Sequence, residues 1–463
     1  MGNLTGSRRC FQAEITAYLG LIFILLVSFL GALMESASVQ MAKNYRRTDV
    51  DRAIECVFAE YQKELFEEYG IFALDASYET GQYAEENLAD RLAFYGAGNM
   101  THNITRIQFL TDKGCEAFYE QVEAYMESRY GVDIVEDMLG ETSLWGQQEE
   151  KSESFIVEEE TKEKELEEIL SENESQLPKE GNPIEHVGQL KRSPILDLVM
   201  PKDREISQKR IDGATMLASR NRNEGYGDFS DMEEENSTLS TLFFGEYLLQ
   251  KFSDFTKIEE GGALDYELEY ILAGADSDRE NLEAVVHKMM MLRFVPNYLY
   301  IQTDGEMKAE AEAMALTLCT LLAVPAVTEA AAQVILLAWS YGETVMDLRS
   351  LLKGNRVPVV KSKESWQLQL ASLLTLGTKE DKAECMDAER GLPYEEYLRI
   401  LLFLEEKETA ALRALGMIEQ NIKTVYGQAF FHADDCVSRM EVESVCKLRR
   451  GIHYDFMTYY GYQ

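Results

Sequence analysis

"EITAYLGLIFILLVSFLGALME", residues 14–35, decides how the rest of the chain is read. Between Ile15 and Met34 there is no charged side chain, and Leu, Ile, Phe and Val dominate. About 20 such residues cover the hydrocarbon thickness of a bilayer as one helix. Glu14 and Glu35 bracket the run, where a carboxylate at the interface costs far less than one at the bilayer centre. The expectation is a single-pass transmembrane anchor in the cell membrane, contacting lipid through residues 15–34. The rival is a cleaved secretory signal, with Ser36-Ala37-Ser38 as the small-residue site. Arg8 and Arg9 before the run favour a cytoplasmic N-terminus and an extracytoplasmic body, although Lys43, Arg46 and Arg47 follow it.

The helical pattern continues past the apolar run. No Pro or Gly occurs between Ala32 and Tyr69, and Gly70 stands where a C-terminal cap belongs. Val50, Ile54, Val57, Tyr61 and Leu65 recur at spacings of three and four, and Phe58 and Phe66 widen that stripe. Residues 14–69 are therefore expected to form one rod of about 80 Å. Its stripe packs either on this chain's own body or on a second subunit. Glu14, Val50, Ile54, Val57, Phe58, Tyr61 and Leu65 are the candidate anchor or subunit contacts, and self-association of the N-terminal helix is one expected outcome.

With 463 residues, more than one domain is expected. The net charge of −37 repels phosphate backbones and speaks against nucleic-acid partners. Seven scattered cysteines without a C-x-x-C pair do not read as a disulfide framework. The expected fold class is α+β, mostly helical. Its parts are a leader and anchor (1–35), a long helix with a small α/β module (36–140), an acidic flexible linker (141–183), an irregular connection (184–235) and a helical α+β C-terminal domain (236–463). Within these, 101–111 reads as a strand and Lys113–Arg129 as a helix. Asp265–Leu272 alternates Tyr and Leu and reads as a strand. Ser277 with Glu280, and Thr303 with Glu306, have capping-box spacing. A helix pair fits 393–426, and two or three strands close the chain between His432 and Tyr462. The apolar stretch 313–339 carries Pro325, Glu329 and Gln333, which suits buried helices better than a second span.

Motifs for chemistry are sparse. His432, Cys436, Cys446 and His453 are ligand types, but their spacing matches no zinc module. No phosphate-binding glycine loop, nucleophile elbow or H-E-x-x-H motif occurs. His287 reads as a core histidine, and 356–366 as a loop between core helices. No catalytic residue, cofactor or metal is expected. The chain reads as a structural protein, with an extracytoplasmic enzyme or a secreted binding protein as the alternative.

Four stretches, "AEYQKELFEEYGIFALD" (59–75), "LDYELEYILAG" (264–274), "AWSYGETVMDLRSLLKGNRVPVVKSKESW" (338–366) and "LPYEEYLRILL" (392–402), carry a resemblance. Together they resemble a domain-of-unknown-function family of membrane-anchored proteins encoded with tight-adherence (Tad, Flp-type) pilus genes of Gram-positive bacteria. The N-terminus is similar to TadE- and TadG-type pseudopilins, in which a Glu near the start of the apolar segment can offset a neighbour's terminal amine. Glu14 holds a comparable place. The leader "RRCFQAE" has no Gly before a prepilin cleavage point. The resemblance implies partners among other pilus or secretion-system proteins and assigns no catalytic residue.

Overall fold

The computed structural model describes residues 6–130, 151, 154–155, 157–173, 175–229, 238–320, 322 and 324–462, with α1 side chains from Ile15 onward. Helix α1 (Gly6–Phe58) has 53 residues and reaches about 80 Å. The expected rod ends there rather than at Tyr69. Gln62 turns extended, and its side chain accepts from the Leu65 backbone N–H at 2.7 Å, capping a separate helix α2 (Lys63–Tyr69). Gly70 closes α2 in the left-handed conformation expected of it (φ 72°), with the Tyr125 ring where a Cβ would sit.

Four antiparallel strands follow from both ends of the sequence: β1 (Leu74–Asp75), β2 (Thr101–Phe109), β3 (Cys436–Lys447) and β4 (His453–Gly461). The long strand β3 is central. It pairs with β2 along one edge and with β1 and β4 along the other. Met440 and Val442 on β3, Ile104 and Ile107 on β2, and Phe456 on β4 are buried in a small core. Helix α3 (Glu85–Leu92) adds Leu88 and Leu92 to it. The packing unit around the sheet thus draws on residues from 36–140 and from 236–463 alike.

The second and larger core is helical. Helix α4 (Asp112–Tyr130) and α2 join it beside helices α5 (Pro183–Leu190), α6 (Ile195–Val199), α7 (Thr238–Lys251), α8 (Glu267–Ala273), α9 (Asp278–Thr303), α10 (Gly305–Cys319), α11 (Pro325–Lys353), α12 (Tyr394–Leu404) and α13 (Lys407–Val425). Helix α11 runs through its centre and is buried almost continuously from Ala331 to Leu352.

Three expectations change here. Asp265–Leu272 is not a strand: α8 occupies Glu267–Ala273. The alternation misled because Glu267 and Glu269 do not face water. Both are buried, and they accept backbone N–H groups of Ser253 and Phe255 at 2.9 and 3.0 Å. The α10 cap is Asp304 rather than Thr303, with its carboxylate on the Glu306 and Met307 N–H groups. Within the expected flexible linker, residues 157–172 are helical. Leu166 is buried in the large core, and Lys191 ties Glu159 and Glu163 at 2.7 and 2.8 Å. Ser277 caps its helix as expected, its Oγ accepting from the Glu280 N–H at 3.3 Å and donating to the Glu280 carboxylate at 2.9 Å.

Candidate functional site

From Ile15 to Met34 every side chain of α1 is exposed. Among the described residues, α1 is the one helix long and apolar enough to cross a bilayer. The same helix then changes environment without a break. Val50, Ala53, Ile54, Val57 and Phe58 are at most 1% exposed, and they pack under the sheet. Phe58 meets the rings of Tyr460 and Tyr462 at 4.7 and 5.1 Å, and the Tyr462 hydroxyl donates to the Phe58 carbonyl. Burial of a side chain of this size contributes about 1.5–3 kcal/mol, so several together fix the helix to the body.

The β3–β4 hairpin continues along α1 toward the apolar run. Arg47 lies over the Phe456 ring at 5.8 Å and Lys43 over the Tyr454 ring at 4.7 Å. Farther along, Arg450 in the hairpin turn pairs with Glu35, the first residue beyond the uncharged run. The hairpin is thus a brace between the body and the end of the apolar segment.

The candidate contacts divide between environments. Val50, Ile54, Val57 and Phe58 share the sheet core, while Leu65 belongs to the helical core. Tyr61 is half-buried between them, edge-on to Phe66 and Phe72 at 5.5 and 5.1 Å. The Glu14 side chain lies outside the described residues. Sequence reasoning missed the hairpin brace. Its signal is the run "KLRRGIH" (447–453), a cationic stretch in a strongly acidic chain.

Elsewhere, ionisable groups come together as internal ties. Lys361 bridges Glu343 and Asp347 of α11 at 2.5 and 2.7 Å, and Arg293 of α9 meets Asp347 at 2.9 Å. None of these side chains is more than 1% exposed. Glu343 also accepts the N–H groups of Gln367 and Leu368, which pins the loop after α11. Burial raises the Glu343 carboxyl. Burial acts the same way on Asp347, but Arg293 and Lys361 outweigh it and hold that carboxyl below its ordinary value.

Glu419, His432 and Asp434 offer ligand-type atoms within 4.8 Å of one another. Arg220 already occupies the space between the two carboxylates, forked on Glu419 at 2.8 and 3.0 Å and paired with Asp434. Lys423 adds a bond to Glu419 at 2.6 Å. Burial works to raise the Glu419 carboxyl, but His432 and Arg220 hold it well below the usual carboxylate range. The cluster is a clamp between the 219–229 loop, α13 and the start of β3. Cys436 and Cys446 stand ten residues apart on β3, roughly 33 Å, so the His/Cys series forms no single metal centre.

Two concavities stand out. A cleft of about 260 Å³ lies between the start of α4 and the 222–229 loop, where Asp112 accepts from the Gly225 N–H at 3.0 Å. A wider groove of about 880 Å³ runs between α10 and α11, lined by Ala309, Ala313, Leu316, Ala332 and Leu336. Glu312 and Glu329 at its rim are exposed.

The geometry defines an α+β body packed on the end of a membrane-length N-terminal helix. The chain belongs to a family of unknown function, DUF5702, matched over residues 173–448. That span holds most of the helical body and strand β3, while α1, β2 and β4 lie outside it. No curated protein and no solved structure matches the chain.

Proposed function

We propose that this protein is a single-span, non-enzymatic structural component of the cell envelope. Its body is extracytoplasmic, and it works within a tight-adherence-type pilus or secretion assembly. The observation that carries the reading is the continuity of α1. One helix is exposed and apolar at residues 15–34 and buried under the sheet at Val50–Phe58, so body and anchor move together. Arg293, Glu343, Asp347 and Lys361 are paired with one another and at most 1% exposed, out of reach of any substrate, which suits internal ties in a structural body. The four stretches resembling pilus-associated proteins supply the assembly.

The test is deletion of the chain in its host, followed by complementation. Loss of surface pili or of secreted pilin, restored by the whole chain, is expected. A version with residues 15–34 replaced by a cleavable signal should not restore them. Normal pili in the deletion strain would remove the assembly role, and rescue by the released body would remove the anchor.

A further inference from the structure

The chain carries 82 acidic and 45 basic residues, yet the end of the body beside the apolar run reverses that balance. On α1, Lys43, Arg46 and Arg47 follow Glu35, and Asp49 is the next carboxylate. On the hairpin, Lys447, Arg449, Arg450 and His453 lie between Glu443 and Asp455 with no carboxylate among them. Two contacts bring these sequence-distant groups together: Lys43 on the Tyr454 ring, and Arg450 on Glu35. Lys447, Arg449 and Arg450 are exposed, and Arg450 keeps 75% of its side chain open even with Glu35 beside it. Arg450 also takes a left-handed backbone (φ 62°), where Gly or Asn is easier, next to Gly451 at φ 73°. Ile452, exposed beside it, puts an apolar side chain on the same turn.

Helix α1 acts as the ruler. Glu35 is the first residue after the uncharged run, so a turn that touches Glu35 lies at the level where that run ends. Resting on the anchor reading above, we propose that the β3–β4 turn, with Lys43 the nearest cation on the stalk, docks on anionic phospholipid headgroups of the leaflet facing the body. Arg and Lys donors meet the lipid phosphates there, and Ile452 enters the interface. Each cation near an anionic surface contributes roughly a fivefold gain in association, falling as salt screens it. The acidic remainder of the body is repelled by the same surface, so the docking also fixes which end faces the bilayer.

The experiment uses the full chain in nanodiscs of phosphatidylcholine, alone or with one third phosphatidylglycerol, read by hydrogen–deuterium exchange. Expected is at least fivefold slower exchange of residues 447–453 in the anionic discs. High salt should abolish the difference, while Met440–Ser444 exchange alike in both. K447E/R449E should exchange equally in the two lipids at the turn while keeping the slow β3 centre, which shows the sheet intact. Equal exchange by the wild-type chain, co-eluting with both discs, overturns the docking and leaves the anchor standing. Failure to co-elute with any disc overturns the anchor and the docking together. Protection produced by soluble polyphosphate but not by phosphatidylglycerol assigns the turn to a soluble polyanion and overturns the lipid site.

Discussion

Two apolar helices in this molecule have opposite fates. The 15–34 run of α1 is exposed on every side, whereas α11 is covered from Ala331 to Leu352 by α9, α5 and the loop after it. Apolar length already sets α1 apart, and the charges say why. Helix α11 carries Glu343 and Asp347 among its apolar residues, and both need cations that only other protein elements supply, Arg293 and Lys361. The 15–34 run carries no charge, so lipid alone can satisfy it. A buried ionisable residue therefore specifies protein as the covering partner, and its absence makes a bilayer a sufficient one.

The largest effect should come from removing a cation from α11. Lys361→Met leaves Glu343 and Asp347 with less compensation in a dry site, and loss of one partner from a buried pair costs about 3–5 kcal/mol. Denaturant titration of the detergent-solubilised chain should show that loss, and adding Glu343→Gln should recover much of it. A Lys361→Met variant as stable as the parent would break the contrast between the helices.

Next comes the same substitution made twice on one helix. Phe58→Ala should destabilise the body by about 3 kcal/mol, because Phe58 is 1% exposed in the sheet core. Phe29→Ala, at a position 63% exposed, should shift the unfolding midpoint of the body hardly at all. Equal effects would mean that the two halves of α1 are not in different environments.

The effect that is smallest at any one pH step concerns a buried carboxylate without a cation. Glu269 accepts from Phe255 N–H at 3.0 Å and the Tyr394 hydroxyl at 2.8 Å, and burial, helped by Asp254, pushes its carboxyl up to about 8. The folded chain then keeps a proton that the unfolded chain releases near the ordinary value of 4.5. The contribution is complete below about 4.5 and is lost as pH rises toward 8, by on the order of 1 kcal/mol per pH unit. Glu269→Gln should flatten the stability profile across that window. An unchanged slope would place the titration on another group.

Much of this was legible because the deciding signals are local. The α1 stripe, the Ser277 cap, the 393–426 helix pair and the closing strands follow from spacing and turn residues. What escaped depends on partners distant in sequence. Glu267 and Glu269 looked like the wet side of a strand because nothing local announces the Ser253 and Phe255 N–H groups that bind them. Residues 157–172 looked solvated because Lys191 and the core around Leu166 come from elsewhere in the chain. The turn at 447–453 showed its charge in the sequence but not its neighbour, Glu35. The break after Phe58 goes with a Gln62 side chain that caps the next helix on the Leu65 N–H, and with a Gln62 N–H bonded to the distant Ala73 carbonyl.

The central place of β3 has a consequence for how the molecule is made. Helix α1 leaves the ribosome long before β3, the strand that completes the sheet over its stripe. Until then Val50, Ile54, Val57 and Phe58 have no finished sheet to meet, and β1 and β2 have no strand between them. Pairing across such a separation is slow to nucleate. A chain cut short before Cys436 would keep a sticky stalk, visible to proteases and chaperones. Concealment of the stalk thus waits for the synthesis of β3, and a finished sheet reports that synthesis has passed that strand.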